Sequence, residues 1–512
     1  MAGIAIMGYG TIGSGVAAAL RGNAKAIERK AGERVELRRI LDILDFQGSP
    51  DASLVTHDVD DIMRDSSVSI VVETMGGTGI AYEFTKLALS SRKHVVTSNK
   101  DLVAEHGPEL LKLAHMHGVR YLFEASVGGG MPILHPIERC LAANRIIALS
   151  GIVNGTTNHM LTYMHERGSD YETTLKEAQR LGITEKDPRS DVEGLDAARK
   201  LAILASAAFG SFVDWKIIPA RGITSVTDTD IRHASELGCA IKLVASARLA
   251  LSGGPQAGVA EKKLLASVAP AFVKRGHAFY GVNGAYNAVS VTGDLVGDVL
   301  FCGIGAGKLP TASAVIADII DIVRGNGYRG DGANWGNGSG SNGDSGSSRG
   351  DGSGSNGDGG SSRGDGACVR HGVPDAVWNR DCALTPEPDD SDPALAEPGL
   401  FYARIEPVGA GGDPGTTPDC EVEVDSTPGL KPDSRKRLVD ALYRSLPDAS
   451  MFPDNEGGQL GQHPICFTAK AGSEAAFLKG LSAALADAGV DRASRGRHCF
   501  AVGAHMRIID DA

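Results

Sequence analysis

No stretch of this chain sustains the roughly 18 to 20 uninterrupted apolar residues that a membrane-crossing helix needs, so no membrane partner is expected. Basic residues are in deficit: 51 Lys and Arg face 63 Asp and Glu, a formal net charge of -12. With no basic face or stripe, nucleic acid is not an expected partner either. The eight cysteines include no C-x-x-C pair and no paired spacing. Such thiols are expected to be reduced, as in a cytoplasmic protein. The apolar start, MAGIAIMGYG, lacks a basic n-region and runs directly into a glycine motif, so it reads as a first strand and not as a signal peptide. What remains is ordinary globular composition, 42% hydrophobic and 22% charged over 512 residues, enough for two or three domains.

GIAIMGYGTIGSGVAAALRG reads as strand, tight glycine turn and helix. The β-rich runs VELRRILDIL, SIVVETMGG, HVVTSNK and YLFEASVGG follow, with a helical AYEFTKLALSSRK between two of them. This alternation predicts an α/β, doubly wound parallel sheet over residues 1–145, its last helix returning at about 305–325. From 146 to 304 the texture is α+β. RIIALSGIVNGTTN and AFYGVNGAYNAVSVTG read as sheet, DAARKLAILASAAFG and HASELGCAIKLVASARLA as helices between them. A Gly/Ser/Asp-rich linker spans 326–398 and holds a tandem repeat, GSGSNGDSGSSRGD at 338–351 and GSGSNGDGGSSRGD at 352–365. That composition offers nothing to bury and predicts flexible coil; its RGD tripeptides read as products of the repeat. A further β/α alternation over 399–512 predicts a small C-terminal domain.

Gly8-Tyr9-Gly10-Thr11-Ile12-Gly13 is a G-x-G-x-x-G between strand and helix. Gly8 permits the turn, Gly10 lets a pyrophosphate approach the backbone, and Gly13 allows close helix–sheet packing. The helix N-terminus then offers free N–H groups to the phosphates. At the end of the next strand, Asp42 suits the ribose hydroxyls of NAD, although Arg38 and Arg39 lie just upstream.

The stretch DVEGLDAARK places Asp191, Glu193, Asp196 and Lys200 ahead of an apolar helical run. Asp196 and Lys200 share one helix face. They read either as a surface ion pair or as the wall of a site. In the second reading carboxylates hold a substrate ammonium, and the lysine gives a proton to oxygen as a hydride reaches carbon. Glu185, Asp187 and Asp191 lie on the preceding Gly/Pro-punctuated loop. Lys100 ends Thr97-Ser98-Asn99-Lys100 on the carboxyl side of the sheet, where open α/β folds bind ligands. Glu124 and the carbonyls of the turn that follows it suit either a hard cation or a domain crossover. Gly303-Ile304-Gly305-Ala306-Gly307 enters another helix, the form of a second phosphate or nicotinamide contact.

GYGTIGSGV, VVTSNK, FEASVGGGMPI, GIVNGTTNHM, LGITEKDPRSDVEGLDAARKLAILA and GIGAGKLPTASAV together resemble the homoserine dehydrogenase family, in its order and approximate spacing, over roughly residues 4–325. The resemblance implies a Rossmann-type domain, a substrate and dimerisation domain, and NAD(P)-dependent interconversion of L-homoserine and L-aspartate 4-semialdehyde on the way to threonine and methionine. It implies that Lys200 is the acid/base and that Lys100 orients substrate and cofactor. Glu185 and Asp196 would bind the substrate's amino end, with Asp191 supporting. Cofactor contacts would fall on Gly8, Gly10, Thr11, Ile12, Gly13, Asp42, Lys100, Gly182 and Gly305. A sodium site would fall on Glu124 and the carbonyls of Val127, Gly129 and Met131. A homodimer or homotetramer is implied too. Two departures stand out. Ile43 or Leu44 occupies a place where family members often carry arginine, which weakens any NADP claim. Asp425-Ser426-Thr427-Pro428-Gly429-Leu430 echoes imperfectly the turn of an ACT regulatory domain, for which L-threonine would be the effector. The competing readings are a dehydrogenase of another small acid and a catalytically lapsed dinucleotide-binding sensor. Against the latter, no lysine or acid of the constellation is missing.

Overall fold

The computed structural model describes residues 1–184, 186–252 and 261–325, and the backbones of C-terminal strands at 399–407, 450–451, 465–471 and 500–509. The first strand, β1 (Ala2–Met7), is buried throughout, and the glycine turn delivers the chain into α1 (Thr11–Gly22). There follow α2 (Ala24–Ala31), β2 (Val35–Leu41), β3 (Val55–Thr56), α3 (Val59–Met63) and β4 (Ile70–Glu73). Next come α4 (Gly79–Ser90), β5 (His94–Thr97), α5 (Lys100–Met116) and a short β6 (Tyr121–Leu122). These strands form one parallel sheet in the order β3-β2-β1-β4-β5-β6. The predicted doubly wound sheet is therefore observed. Its order reverses between β1 and β4, which opens a crevice at their carboxyl ends.

The second half runs β7 (Ile146–Ile152), α6 (Gly155–Arg167), α7 (Tyr171–Arg180), α8 (Arg189–Val192), α9 (Leu195–Phe209) and α10 (Asp228–Glu236). Then come β8 (Cys239–Ser252), β9 (Glu261–Lys274), β10 (Tyr286–Gly293), β11 (Gly297–Ile304) and α11 (Lys308–Val323). The strands pair antiparallel in the order β11-β10-β7-β8-β9. Strands β12 (Gly399–Pro407), β13 (Ser450–Met451), β14 (Ile465–Ala471) and β15 (Phe500–Ile509) continue this sheet, β15 lying parallel to β9. The linker at 326–398, the predicted C-terminal helices and the 425–430 turn lie outside the described residues. Among the described residues no helix is long and apolar enough to cross a membrane.

One expected helix is a strand. HASELGCAIKLVASARLA is helical only to Glu236; Gly238, at φ +67, turns the chain, and β8 begins at Cys239. Ile241, Leu243 and Ala245 face the helical side, while Val244 packs with Phe279 and Val282 on the other. A run buried on both faces has no alternation, so its periodicity does not distinguish strand from helix. AFYGVNGAYNAVSVTG is likewise strand only from Tyr286, and its first half is the loop that covers β8.

α11 packs against α1 so closely that a Cβ on Gly15 would lie 2.7 Å from the Lys308 carbonyl oxygen. Below it, the Asp318 carboxylate accepts the Glu124 N–H at 3.0 Å and pairs with His135 Nε2 at 3.1 Å. Burial alone would lower the His135 pKa; Asp318, Glu124 and Asp321 outweigh it and raise it to about 9. A raised folded-state value means the stabilisation is complete below the unfolded value of roughly 6.5. It fades as pH rises through about 9. His135→Gln should therefore lower the melting temperature at neutral pH, with the gap to wild type closing above pH about 9. A gap that stays constant across that range would remove the charge on His135 from the account.

Candidate active site

Three segments converge on the cleft between the two sheets. The first is the β5–α5 junction. The Asn99 side chain caps α5 by accepting the Leu102 N–H at 3.1 Å, and its amide donates to the Gly77 carbonyl at 2.7 Å. This fixes Lys100 at the first turn of α5. The second is α9, which starts after Gly194 in a left-handed conformation (φ +82) and carries Asp196 and Lys200 on one face. The third is the β7–α6 junction at Val153 and Asn154, which supplies hydrogen-bond partners to both.

Asp196 is the hub. Its Oδ2 lies 2.8 Å from Lys200 Nζ and its Oδ1 lies 3.3 Å from Lys100 Nζ, so one acid joins a lysine of each half. Only 4% of Asp196 is exposed. Burial alone would raise its pKa, but Lys200 and Lys100 overcome this and bring it down to about 2. Lys100 behaves reciprocally: burial lowers it, and the charges of Asp196 and Asp101 more than restore it. Lys200 also donates to the Val153 carbonyl at 2.9 Å. Two of its three N–H donors are thus engaged, leaving one for a ligand. Asp191 sits beside this group, its pKa raised by burial and then by the charge of Asp196.

The helices hold this geometry with a second row of contacts. Asp101 pairs with Arg199 at 3.2 Å, and Glu105 accepts from Trp215 Nε1 at 3.1 Å and pairs with Lys216 at 2.9 Å. The Arg199 guanidinium stacks 4.0 Å from the Trp215 ring centroid. The surface-pair reading of Asp196 and Lys200 is thereby set aside.

Other expected residues separate. Asp187 pairs with Arg189 on the surface, and Glu193 is exposed. Glu185 lies outside the described residues. Gly182, at φ +69, turns the chain after α7, next to Ile183, whose carbonyl faces Thr156 Oγ1 at 3.4 Å. The Glu124 carboxylate is committed to the N–H groups of Ile133, Leu134 and His135 at 2.6, 3.1 and 2.7 Å. No hydrogen bond among the described residues reaches the carbonyls of Val127, Gly129 and Met131. Among the described residues no group of three His, Cys, Asp or Glu side chains gathers as for a metal. Two residues went unread in the sequence. Asn154 donates to both Asp191 and Asp196. Glu73, fully buried at the end of β4, accepts from Thr97 Oγ1 at 2.6 Å and the Met75 N–H at 2.8 Å.

The glycine turn fits a dinucleotide. Gly8 is left-handed (φ +92), and a Cβ on Gly13 would lie 2.0 Å from the Gly8 carbonyl oxygen. At Gly10 a Cβ would meet nothing within 4 Å, so the space over the α1 N-terminus is open. No side chain caps α1, which leaves its first N–H groups for phosphate. Thr11 and Ile12 form that first turn, and Thr11 is exposed. Asp42, at the end of β2, accepts the Tyr9 N–H at 2.6 Å and the Leu44 N–H at 3.1 Å. Across the cleft, α11 also lacks a side-chain cap, and a Cβ on Gly305 would lie 2.2 Å from the Asn287 amide.

Residues 132–320 match the family model described as homoserine dehydrogenase, and residues 8–124 the one described as homoserine dehydrogenase, NAD binding domain. The homoserine dehydrogenase of Synechocystis sp. is 44% identical over 326 residues, 62% of this chain and 73% of that one. The chain belongs to the homoserine dehydrogenase family. The Bacillus subtilis homoserine dehydrogenase is 40% identical over 63% of this chain and 72% of its own. The crystal structure of a homoserine dehydrogenase from Thiobacillus denitrificans superposes with a TM-score of 0.72 at 31% identity, covering 99% of this chain and 98% of that one. A hyperthermophilic archaeal homoserine dehydrogenase in complex with NADPH aligns over 63% of this chain and 97% of its own, at 27% identity and a TM-score of 0.52. The chain thus carries the NAD(P)-binding domain of homoserine dehydrogenases.

The two glycines predict opposite outcomes for Ala. Gly10→Ala should leave the melting temperature unchanged and weaken dinucleotide binding, because its methyl group enters only ligand space. Gly13→Ala should destabilise the protein itself. Unchanged cofactor affinity in a folded Gly10→Ala protein would place the dinucleotide elsewhere.

Proposed function

We propose that this homoserine dehydrogenase acts through Lys200 as its proton donor and acceptor, with Lys100, Asp191 and Asp196 completing the substrate site. The observation that carries the reading is Asp196 held between Lys200 and Lys100 on the cleft wall. When bound, the nicotinamide supplies the hydride that reduces the aldehyde carbon of L-aspartate 4-semialdehyde. Lys200 Nζ gives its proton to the nascent alkoxide, and takes it back when L-homoserine is oxidised. Asp196, with both oxygens engaged, holds the two ammonium groups in place. Asp191, whose Oδ2 has no hydrogen-bond donor among the described residues, takes the substrate ammonium, a role that the family resemblance also gives to Glu185.

The finer assignments rest on separate observations. Asp42 at the end of β2, followed by exposed Ile43 and Leu44 in place of a basic residue, supports NAD over NADP. The open carbonyls of Val127, Gly129 and Met131, beside Glu124, support a sodium site. Exposed Tyr286, Leu295, Val296, Leu300 and Ile304 along the β10–β11 edge support a homodimer or homotetramer built on that face. An ACT-like regulatory domain over 399–512 and L-threonine as its effector rest on the β/α alternation of that segment and its 425–430 turn, and a cytoplasmic setting on eight scattered cysteines with no C-x-x-C pair. The proposed domain division places the dinucleotide site in 1–145 and the substrate acids in 146–304.

Lys200→Ala should bind dinucleotide normally and lose about 100- to 10,000-fold in kcat for L-homoserine oxidation, the usual worth of a general acid–base group. Steady-state turnover beside a cofactor titration checks this. A folded Lys200→Ala protein with near-wild-type kcat would remove the lysine from the proton step.

A further inference from the structure

We propose that Asn154 is the positioning residue of the substrate site, holding Asp191 and Asp196 at a fixed separation and thereby fixing the direction in which Lys200 points. The inference rests on the substrate-site reading above and extends it to a residue outside the reacting groups. Asn154 follows β7 and is 4% exposed. Its Oδ1 accepts the Thr157 N–H and the Thr157 hydroxyl, each at 2.8 Å, capping α6. Its Nδ2 donates to Asp191 Oδ1 and to Asp196 Oδ2, both at 2.8 Å. All four hydrogen-bonding positions of the amide are used, and the acceptor end is tied to an N–H, so the amide cannot flip.

The consequence is geometric. Asp196 is buried and Asp191, half-buried, carries a like charge beside it, so without a donor between them they would separate or one would take up a proton. Asn154 supplies that donor without adding charge. Asp191 Oδ1 and Asp196 Oδ2 each accept from Asn154, which leaves Asp191 Oδ2 without a hydrogen-bond donor among the described residues, while Asp196 Oδ2 is shared with Lys200 Nζ at 2.8 Å. The neighbouring Val153 carbonyl takes the second Lys200 donor at 2.9 Å and is itself held by Asn287 Nδ2 at 3.1 Å. Two consecutive residues thus set the lysine and both acids. The charged groups acting on Asp191 are Asp196, Lys200 and Lys100.

Two substitutions separate this role from simple capping. Ser and Asp cap helices about as well as Asn, so Asn154→Ser and Asn154→Asp both keep the Thr157 acceptor. Neither donates to two carboxylates at once, and Asp adds a third negative charge. Wild-type, Asn154→Ser and Asn154→Asp proteins would be compared for melting temperature, dinucleotide affinity and the pH profile of kcat/KM for L-homoserine. The expected result is a folded protein with a modestly lowered melting temperature and unchanged dinucleotide affinity, and a kcat/KM loss of roughly 10- to 100-fold in Asn154→Ser, the scale on which supporting partners act. In Asn154→Asp the acid limb should also move to higher pH, because a third carboxylate makes Asp191 harder to ionise. Wild-type kcat/KM and an unmoved acid limb in both variants would overturn the proposal and leave Asn154 a helix cap. Unfolding or lost dinucleotide binding in both would also overturn it, by making the residue structural. Absence of homoserine turnover in the wild-type protein would instead count against the substrate reading itself.

Discussion

A carboxylate almost without solvent is held between two ammonium groups carried by helices of different halves, and the rest of the cleft is arranged around that contact. An unpaired charge at the Asp196 position would cost several kcal/mol, and removing one partner of such a buried pair typically costs about 3–5 kcal/mol. Asp196 keeps Lys200 within α9 itself and gains Lys100 only while α5 lies against α9. The same requirement explains the second row of contacts between these helices, in which Arg199 both pairs with Asp101 and stacks on Trp215.

The cofactor side obeys a different constraint, that of backbone approach. Gly13 is needed by the protein, since any side chain there would strike the Gly8 carbonyl, whereas the space over Gly10 is empty of protein. The same pairing of close packing with an open helix terminus recurs where α11 lies across α1. Two uncapped helix N-termini thus frame the crevice that the strand order opens between β1 and β4.

Much of this was legible in the amino-acid sequence because its determinants are local. The G-x-G-x-x-G lies within one turn, and Asp196 and Lys200 lie one helical turn apart, so spacing alone puts each set together. Asn154 was invisible as more than part of a motif, because its partners lie 37 and 42 residues downstream. Glu124 beside glycines suits either a hard cation or a domain crossover on sequence alone; that its carboxylate meets N–H groups 9 to 11 residues later is a contact that only the fold creates. β8 was misread for the same kind of reason: strand and helix are equally apolar when both faces are covered, and β7 and β9 decide between them.

The central claim is that Asp196 organises the two lysines for proton transfer, and the most direct measurement is L-homoserine oxidation by Asp196→Asn beside wild type, with folding and dinucleotide binding measured in parallel. Asparagine keeps the shape and removes the charge. The account predicts a folded protein that binds dinucleotide and has lost at least about 100-fold in kcat/KM, since misplacement of reacting groups by about 1 Å costs that much. A folded Asp196→Asn protein that oxidises homoserine at nearly the wild-type rate would contradict it.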